Sequence, residues 1–349
     1  MPMDRVTSID VAKEAGVSQS AVSRVFSSGG SASARTTKKV HEAAAKLGYR
    51  PNILARSLIT GKSRIIGVIL AYLENQFYPE ALEKLSHKLQ QQGYHVLVFL
   101  ASNSQSDIDE VVQEILDYQV DGIIVASASL SSSLSAECEK ANIPIVMFNR
   151  VDESASASSV TSDNFKGGYE AAAHFVACGH HKISYIAGWE GASTQRDREA
   201  GFLEGLKAHG KRLHTREVGN YNHTESAKAA RAMFDTSDRP DAVFICNDHM
   251  AFAVMDVIRQ EFGLAIPQDV AVIGYDDVPP ASWPAYSLTT MRQPTNAMVE
   301  ACVDILMGRI EGNETAPKTT KIPSPLVIRG STREIIEPMS QEEHVNERL

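Results

Sequence analysis

From Arg64 onward the chain alternates short, largely apolar runs with longer segments whose apolar residues recur every three or four positions. The runs are Ile65–Leu70, Val96–Phe99, Gly122–Val125, Ile145–Phe148, Ile183–Ile186, Ala242–Ile245 and Val270–Gly274. The amphipathic segments lie near 79–92, 107–118, 131–141, 165–178, 196–209, 224–235 and 247–262. A strand buried on both faces reads as a nearly unbroken apolar run, whereas a helix with one face inward shows the 3.6-residue period. Their alternation predicts parallel sheets with helices on both faces, an α/β class. There are more units than one such sheet ordinarily holds, and the pattern restarts after Ser158–Asp163. Two lobes with a cleft between them follow.

The first sixty residues read differently. Val11, Ala12 and Ala15 share one face of a first helix. Gly16 stands where the chain must turn and a side chain would be strained or collide. Ser18 is placed to cap a second helix that buries Val22 and Val25. A small residue at the helix crossing, a glycine in the turn and a branched apolar residue on the second helix are the spacing of a helix-turn-helix. A third helix is predicted over 34–47, capped by Ser33, buried through Val40, Ala44 and Leu47, and stopped at Gly48. Beyond it, Pro51 and Asn52 open about seven helical residues before Gly61, too few to hold a helix alone in water. Ile53, Leu54 and Leu58 therefore need a partner, either a second copy of the chain or a DNA groove.

Charge sharpens this division. The 349 residues carry a net −9, yet residues 1–64 hold eleven Lys and Arg against four Asp and Glu, a balance of +7. That leaves −16 on the remainder. A basic head on an acidic body fits a polyanion-binding module joined to a small-molecule domain, although phosphate attraction by itself carries no sequence information. With 43% hydrophobic and 22% charged residues, the composition is that of a globular chain of two or three domains. No stretch approaches the roughly 18 apolar residues of a membrane span. Met1-Pro-Met-Asp-Arg5 leads into a polar segment without an apolar secretory core, so the cytoplasm is the expected compartment. Cys138, Cys178, Cys246 and Cys302 lie far apart, which predicts buried thiols and neither a zinc site nor a disulfide framework.

On these motifs the chain resembles the lactose-repressor (LacI/GalR) family, from Val6 to about Arg329. The resemblance implies a helix-turn-helix head over 1–50, a hinge helix over 51–61, and an effector-binding and dimerisation domain over 62–331. That domain would have the periplasmic-binding-protein type I fold, with lobes at approximately 62–161 plus 293–320 and 162–292 plus 321–331. The chain would cross between them three times, with a segment near 294–312 returning to the first lobe and a polar tail over 332–349. The resemblance places Gln19, Ser20 and Arg24 against base edges in the major groove of double-stranded palindromic operator DNA. Thr7, Ser18, Ser23 and Asn52 would hold phosphates. Ala55 and Leu58 would meet the minor groove, where a leucine wedge unstacks a step and bends the duplex. Gln19 and Ser20 are positions the family varies, so the operator is not readable from a relative. Arg24 suits bidentate pairing with guanine. Two-fold symmetry pairs two heads with a palindrome, and a tail without a leucine heptad predicts a homodimer, not a tetramer.

Ligands of doubly wound sheets sit beyond the carboxyl ends of the strands. That rule selects Asn75, Phe77 and Tyr78, then Asn149 and Arg150, Thr194 and Arg198, Tyr221, Asn247 and Asp248, and Asp276, with Gln293 and Trp283 near a crossover. Among these, the family's effector-contact positions fall on Phe77, Tyr78, Asn149, Thr194, Arg198, Tyr221, Asn247 and Asp276. Aromatic faces ringed by Asn, Asp and Arg suit a polyhydroxylated ring. Asn-x-Phe-Tyr and Asn-Arg are also similar to ribose-type binding proteins, which favours a monosaccharide or sugar derivative. Asn149 departs from the Asp of many members and removes a charge. Two arginines in the cleft keep a sugar acid or phosphate in play.

The decoys are weak. Gly61-Lys-Ser63 echoes a phosphate loop, but Arg56 stands where its first glycine belongs. His180-His181 reads as a turn, and Asn222-His-Thr224 is a glycosylation acceptor without a secretory route. No clustered nucleophile or acid/base constellation is visible. The expectation is a non-enzymatic transcriptional regulator without cofactor, metal or membrane partner, governed by a small-molecule effector. The alternatives are the same architecture with a non-sugar effector such as a nucleobase, or a solute-binding or enzymatic α/β protein tethered to DNA.

Overall fold

The computed structural model describes residues 6–26, 31–50, 62–101, 105–127, 131–152, 156–313 and 316–335. It divides into two compact units, Met1–Ser63 and Arg64–Leu349. The first holds helices α1 (Ser8–Ala15), α2 (Gln19–Phe26) and α3 (Ala34–Leu47). Thr7 and Asp10 form a reciprocal capping box at the start of α1, and Gly16 ends it at φ 65°. Ser18 Oγ accepts from the Ala21 N–H at 3.2 Å, the expected cap of α2. Ser33 caps α3 and Gly48 closes it at φ 67°, as the sequence predicts. Val11, Ala12, Ala15, Val22, Val40, Ala43 and Ala44 form the core, with Val25 and Leu47 half-buried against it. The proposed hinge, with Asn52, Ile53, Leu54, Ala55 and Leu58, lies outside the described residues.

The second unit contains two six-stranded sheets. The first sheet takes β1 (Ile65–Leu70), β2 (His95–Leu100), β3 (Gly122–Ala126), β4 (Ile145–Phe148), β5 (Ser158–Ser162) and β11 (Thr319–Ile322) in the order β11-β5-β4-β3-β1-β2. Helices α4 (Phe77–Gln91), α5 (Gln105–Asp117), α6 (Ser132–Lys140) and α11 (Thr295–Ile310) belong with it. The second sheet takes β6 (Ile183–Ala187), β7 (Arg216–Val218), β8 (Ala242–Ile245), β9 (Ala271–Asp276), β10 (Thr289–Arg292) and β12 (Leu326–Val327) in the order β12-β10-β9-β8-β6-β7. Its helices are α7 (Asn164–Ala177), α8 (Ser193–Ala208), α9 (His223–Phe234) and α10 (Asp248–Gln260). All pairings are parallel except β10 with β12.

The chain passes between lobes after Ser162, after Arg292 and after Ile322, and α11 returns to the first lobe's core through Met298, Val299, Cys302, Val303 and Leu306. Two expected boundaries move slightly. Ser162, Lys321 and Ile322 belong to strands of the first sheet, not to the second lobe. The tail also starts later than residue 332. Ser331 Oγ donates to Val272 O at 2.7 Å, and Thr332 is buried with its hydroxyl 2.9 Å from that of Thr289. Strands β5 and β11 escaped the apolar pattern because they are built largely from Ser and Thr. Neighbours occupy several of these hydroxyls; Ser159 Oγ accepts from Asp152 N–H at 3.1 Å and Ser158 Oγ from Lys318 N–H at 3.2 Å.

Helices α7 and α8 cross almost backbone to backbone. A Cβ on Gly201 would lie 1.8 Å from Phe165 O, and one on Gly168 would lie 2.0 Å from Arg198 O. The two glycines thereby set how deeply α8 seats its side chains. Gly201→Ala should lower the melting temperature by roughly 5–10 °C, since overpacking a tight crossing costs about 1–3 kcal/mol or more. A thermal melt at or above the wild-type value would show that the crossing relaxes freely.

Candidate functional site

Two polar surfaces stand out, one in each unit. On the head, Val22 points inward and the opposite side of α2 exposes Ser18, Gln19, Ser20, Ser23 and Arg24. Gln19 Nε2 donates to Ser8 Oγ at 3.1 Å, and the Ser18 and Ser20 hydroxyls lie 2.9 Å apart. Arg24 Nε bends back to Ser20 O at 3.3 Å, leaving the guanidinium at the solvent-facing surface. Thr7 is exposed, but its hydroxyl is engaged with Asp10 at 2.7 Å. Lys38 and Lys46 pair loosely or closely with Glu42 at 3.9 Å and Glu14 at 2.5 Å. A short helix bearing hydroxyls, an amide and a guanidinium on one open face presents donors and acceptors of the kind that read base edges and phosphates.

In the body, residues just beyond the strand ends converge on a cleft whose free cavity is only about 10 Å³. The first lobe supplies Tyr72, Asn75, Tyr78, Asn149 and Arg150; the second supplies Thr194, Arg198, Tyr221, Asn247 and Asp276. Ligand pockets are usually about 300–1,000 Å³, so admitting a ligand requires the lobes to part. Bonds across the cleft hold them together here. Asn75 Nδ2 donates to Asp276 Oδ2 at 2.8 Å, Arg150 donates to Thr194 Oγ1 at 2.9 Å, and the Val151 N–H donates to Ser193 Oγ at 3.0 Å.

Arg198 is the centre of the second lobe's wall. Only 2% exposed, it donates to Asn164 Oδ1 at 2.8 Å and to Cys246 O at 2.6 Å, and lies 3.7 Å from Asp276 Oδ1. Its Cζ also stacks 3.5 Å from the centroid of the Tyr275 ring. Asp276 further accepts from Gln293 Nε2 at 2.7 Å, which links the pocket to the crossover after β10. Burial raises the Asp276 carboxyl above its ordinary value, while Arg198, Asn75 and Gln293 pull against that rise. Asn149, Tyr221 and Asp276 adopt positive φ values of 58°, 57° and 124°. Such backbone is strained for side chains other than Gly, Asn and Asp, and Tyr221 is thus held where its ring packs against the Gly188 backbone.

The structure brings nine of the thirteen residues selected from sequence into this wall: Asn75, Tyr78, Asn149, Arg150, Thr194, Arg198, Tyr221, Asn247 and Asp276. Phe77 and Gln293 stand behind it. Phe77 is stacked on Phe148 with centroids 6.2 Å apart in the first lobe's core, because successive helical residues point in different directions and Tyr78 takes the cleft-facing one. Both instead line a separate hollow with Lys84 and Arg292. Trp283 is 53% exposed and outside the wall, while Asp248 lies beneath it, accepting from Thr290 Oγ1 at 2.6 Å and the Val278 N–H at 3.1 Å. Sequence reasoning missed Tyr72, two residues beyond β1, which the strand-end rule could have found. It also missed Asn164 and the Cys246 carbonyl, for which no sequence signal exists.

Residues 8–52 match the family described as bacterial regulatory proteins, lacI family, and residues 172–332 match a periplasmic binding protein-like domain. The chain is 30% identical over 329 residues to the HTH-type transcriptional repressor PurR of Vibrio vulnificus (strain CMCP6), covering 93% of this chain and 98% of that one. It is similar to the lac repressor dimer bound to operator and the anti-inducer ONPF, with a TM-score of 0.85, 29% identity, and coverage of 94% and 99%. It is also similar to the transcriptional regulator CelR in complex with cellobiose, with a TM-score of 0.71, 28% identity, and coverage of 94% and 100%.

Asp248 offers a pH test of this wall. Burial and the nearby Asp276 push its carboxyl well above the usual carboxylate range, so the folded protein binds a proton that the unfolded chain releases. Its contribution is present at acid pH and lost as pH rises through the folded value. Asp248→Asn mimics the protonated acid, with an oxygen for Val278 and an NH₂ for Thr290. The variant should match the wild type in stability near pH 4 and become progressively more stable than it toward pH 8. Parallel denaturation curves across that range would refute the protonated carboxyl.

Proposed function

From the premise that the chain belongs to the lacI family of bacterial regulatory proteins, we propose a homodimeric repressor of transcription controlled by a monosaccharide or sugar derivative. DNA binding under effector control is the family's property; the occupants and residue roles are our reading. Residues 1–50 would read palindromic operator DNA, 51–61 would form the hinge, and 62–331 would dimerise and hold the effector. Arg24, Gln19 and Ser20 would face bases; Thr7, Ser18, Ser23 and Asn52 would face phosphates; Ala55 and Leu58 would enter the minor groove. Action on DNA places it in the cytoplasm, and no helix among the described residues is long and apolar enough to cross a membrane.

One observation carries the effector reading. The cleft is walled from both lobes by hydroxyls, amides, guanidinia and a carboxylate, with Tyr72, Tyr78 and Tyr221 supplying aromatic surface. A polyhydroxylated ring offers adjacent hydroxyls to such forked groups and C–H faces to the rings. By exchanging bonds now made across the cleft, the ligand gains affinity for one arrangement of the lobes over another, which is the physical content of allosteric control. That the similar regulator CelR was solved in complex with cellobiose supports a carbohydrate effector.

A palindromic duplex selected by the purified protein from random DNA should bind with strong salt dependence, and a small metabolite should shift that binding. On it, Arg24→Ala should lose about 1–3 kcal/mol and relax preference at one base pair per half-site. Lys38→Ala should weaken selected and random DNA alike. Equal losses on both DNAs for Arg24→Ala would remove it from the reading face.

A further inference from the structure

The cleft contains one buried charge, on Arg150, with no carboxylate at ion-pair distance among the described residues. Arg150 is 2% exposed, and its Nη1 donates to two neutral oxygens, Asn149 O at 2.8 Å and Thr194 Oγ1 at 2.9 Å. Its Nε is buried with no hydrogen-bond partner, and Arg150 takes part in none of the ion pairs among the described residues. The nearby carboxylates are engaged elsewhere. Asp276 faces Arg198 and accepts from Asn75 and Gln293, while Asp248 is closed off by Thr290 and Val278. The ring of Tyr221, its centroid 5.9 Å from the guanidinium carbon, makes a cation–π contact but carries no charge to offset that of Arg150. Position 149, which lines the same cleft, carries an amide. Asn149 Oδ1 is itself buried without a donor, and its Nδ2 donates to the Tyr78 hydroxyl at 3.2 Å.

A buried guanidinium with an idle Nε is costly unless something anionic completes it. The Nε edge of arginine forms a side-on fork that fits two oxygens of a carboxylate or phosphate. An Asp at 149 would repel such a group, whereas the Asn amide can donate to it. We infer that the effector is an anion: a small polyhydroxylated molecule whose carboxylate or phosphate lies against Arg150, while Arg198 remains with Asp276. This rests on the reading of the cleft as the effector site and narrows it. A neutral sugar or nucleobase would leave Arg150 uncompensated.

The test compares acids with neutral isosteres on the full-length protein by thermal shift and calorimetry. The probes are glucuronate against glucuronamide, gluconate against glucitol, glucose 6-phosphate against glucose, and adenine. At least one acid should bind at least tenfold more tightly than its neutral partner, and the carboxylate and phosphate arms show which anion is preferred. Arg150→Gln and Asn149→Asp should each weaken that acid at least tenfold. Without any probe, Asn149→Asp supplies the missing counter-charge and should melt above the wild type. If no probe binds, this comparison alone decides, and an equal or lower melting temperature overturns the inference. A neutral probe that binds and shifts operator affinity, with the acids inert, overturns the anion while leaving the effector cleft intact. An acid that binds Arg150→Gln as tightly as the wild type overturns the inference and removes the cleft as its site.

Discussion

The way Arg198, a guanidinium only 2% exposed, is satisfied organises the second lobe's half of the cleft. It joins the start of α7 through Asn164, the end of β8 through the Cys246 carbonyl, and the end of β9 through Asp276 and the Tyr275 ring. The close crossing of α7 and α8 at Gly168 and Gly201 makes the geometry possible, since any larger residue would lift α8 and Arg198 with it.

From Asp276 the network leaves the lobe. Asn75 reaches it from the first lobe, and Gln293 from the crossover, where Ser162 Oγ lies 3.1 Å from Gln293 Oε1 and 3.3 Å from the Tyr275 hydroxyl. The same carboxylate is therefore a pocket wall, an interlobe tie and a neighbour of two crossing segments. A ligand that takes one of its bonds changes the balance of all three. Burial makes each lost partner expensive, because an unpaired polar group in a low-dielectric interior has no water to turn to.

Much of this was legible in the sequence. Apolar runs gave most of the inner strands, because strands covered on both faces exclude polar side chains. They failed at the short β7 and β12, at the Thr-rich β10 and β11, and at β5, where buried hydroxyls are satisfied by backbone groups that only the fold brings near. Helix starts at Phe77 and Ser193 came earlier than the apolar period indicated, since first turns are set by loop geometry more than by burial. The strand-end rule found Asn149, Arg150, Arg198 and Asp276 because topology alone puts those positions at the cleft. It could not separate Tyr78 from Phe77, adjacent residues on one helix turn. Nor could it see that Asn164 completes Arg198, a partnership between residues 34 positions apart on different helices.

On the proposed function, Arg198 carries the effector signal and leaves DNA recognition to the head. Operator titrations of Arg198→Ala, with and without a metabolite that shifts the wild-type curve, test it most directly. Removing a contact that distinguishes two states removes the coupling between the sites. The variant should bind operator with an affinity the metabolite no longer changes. A variant that keeps the full wild-type response would show that Arg198 only supports the fold and that the signal enters elsewhere.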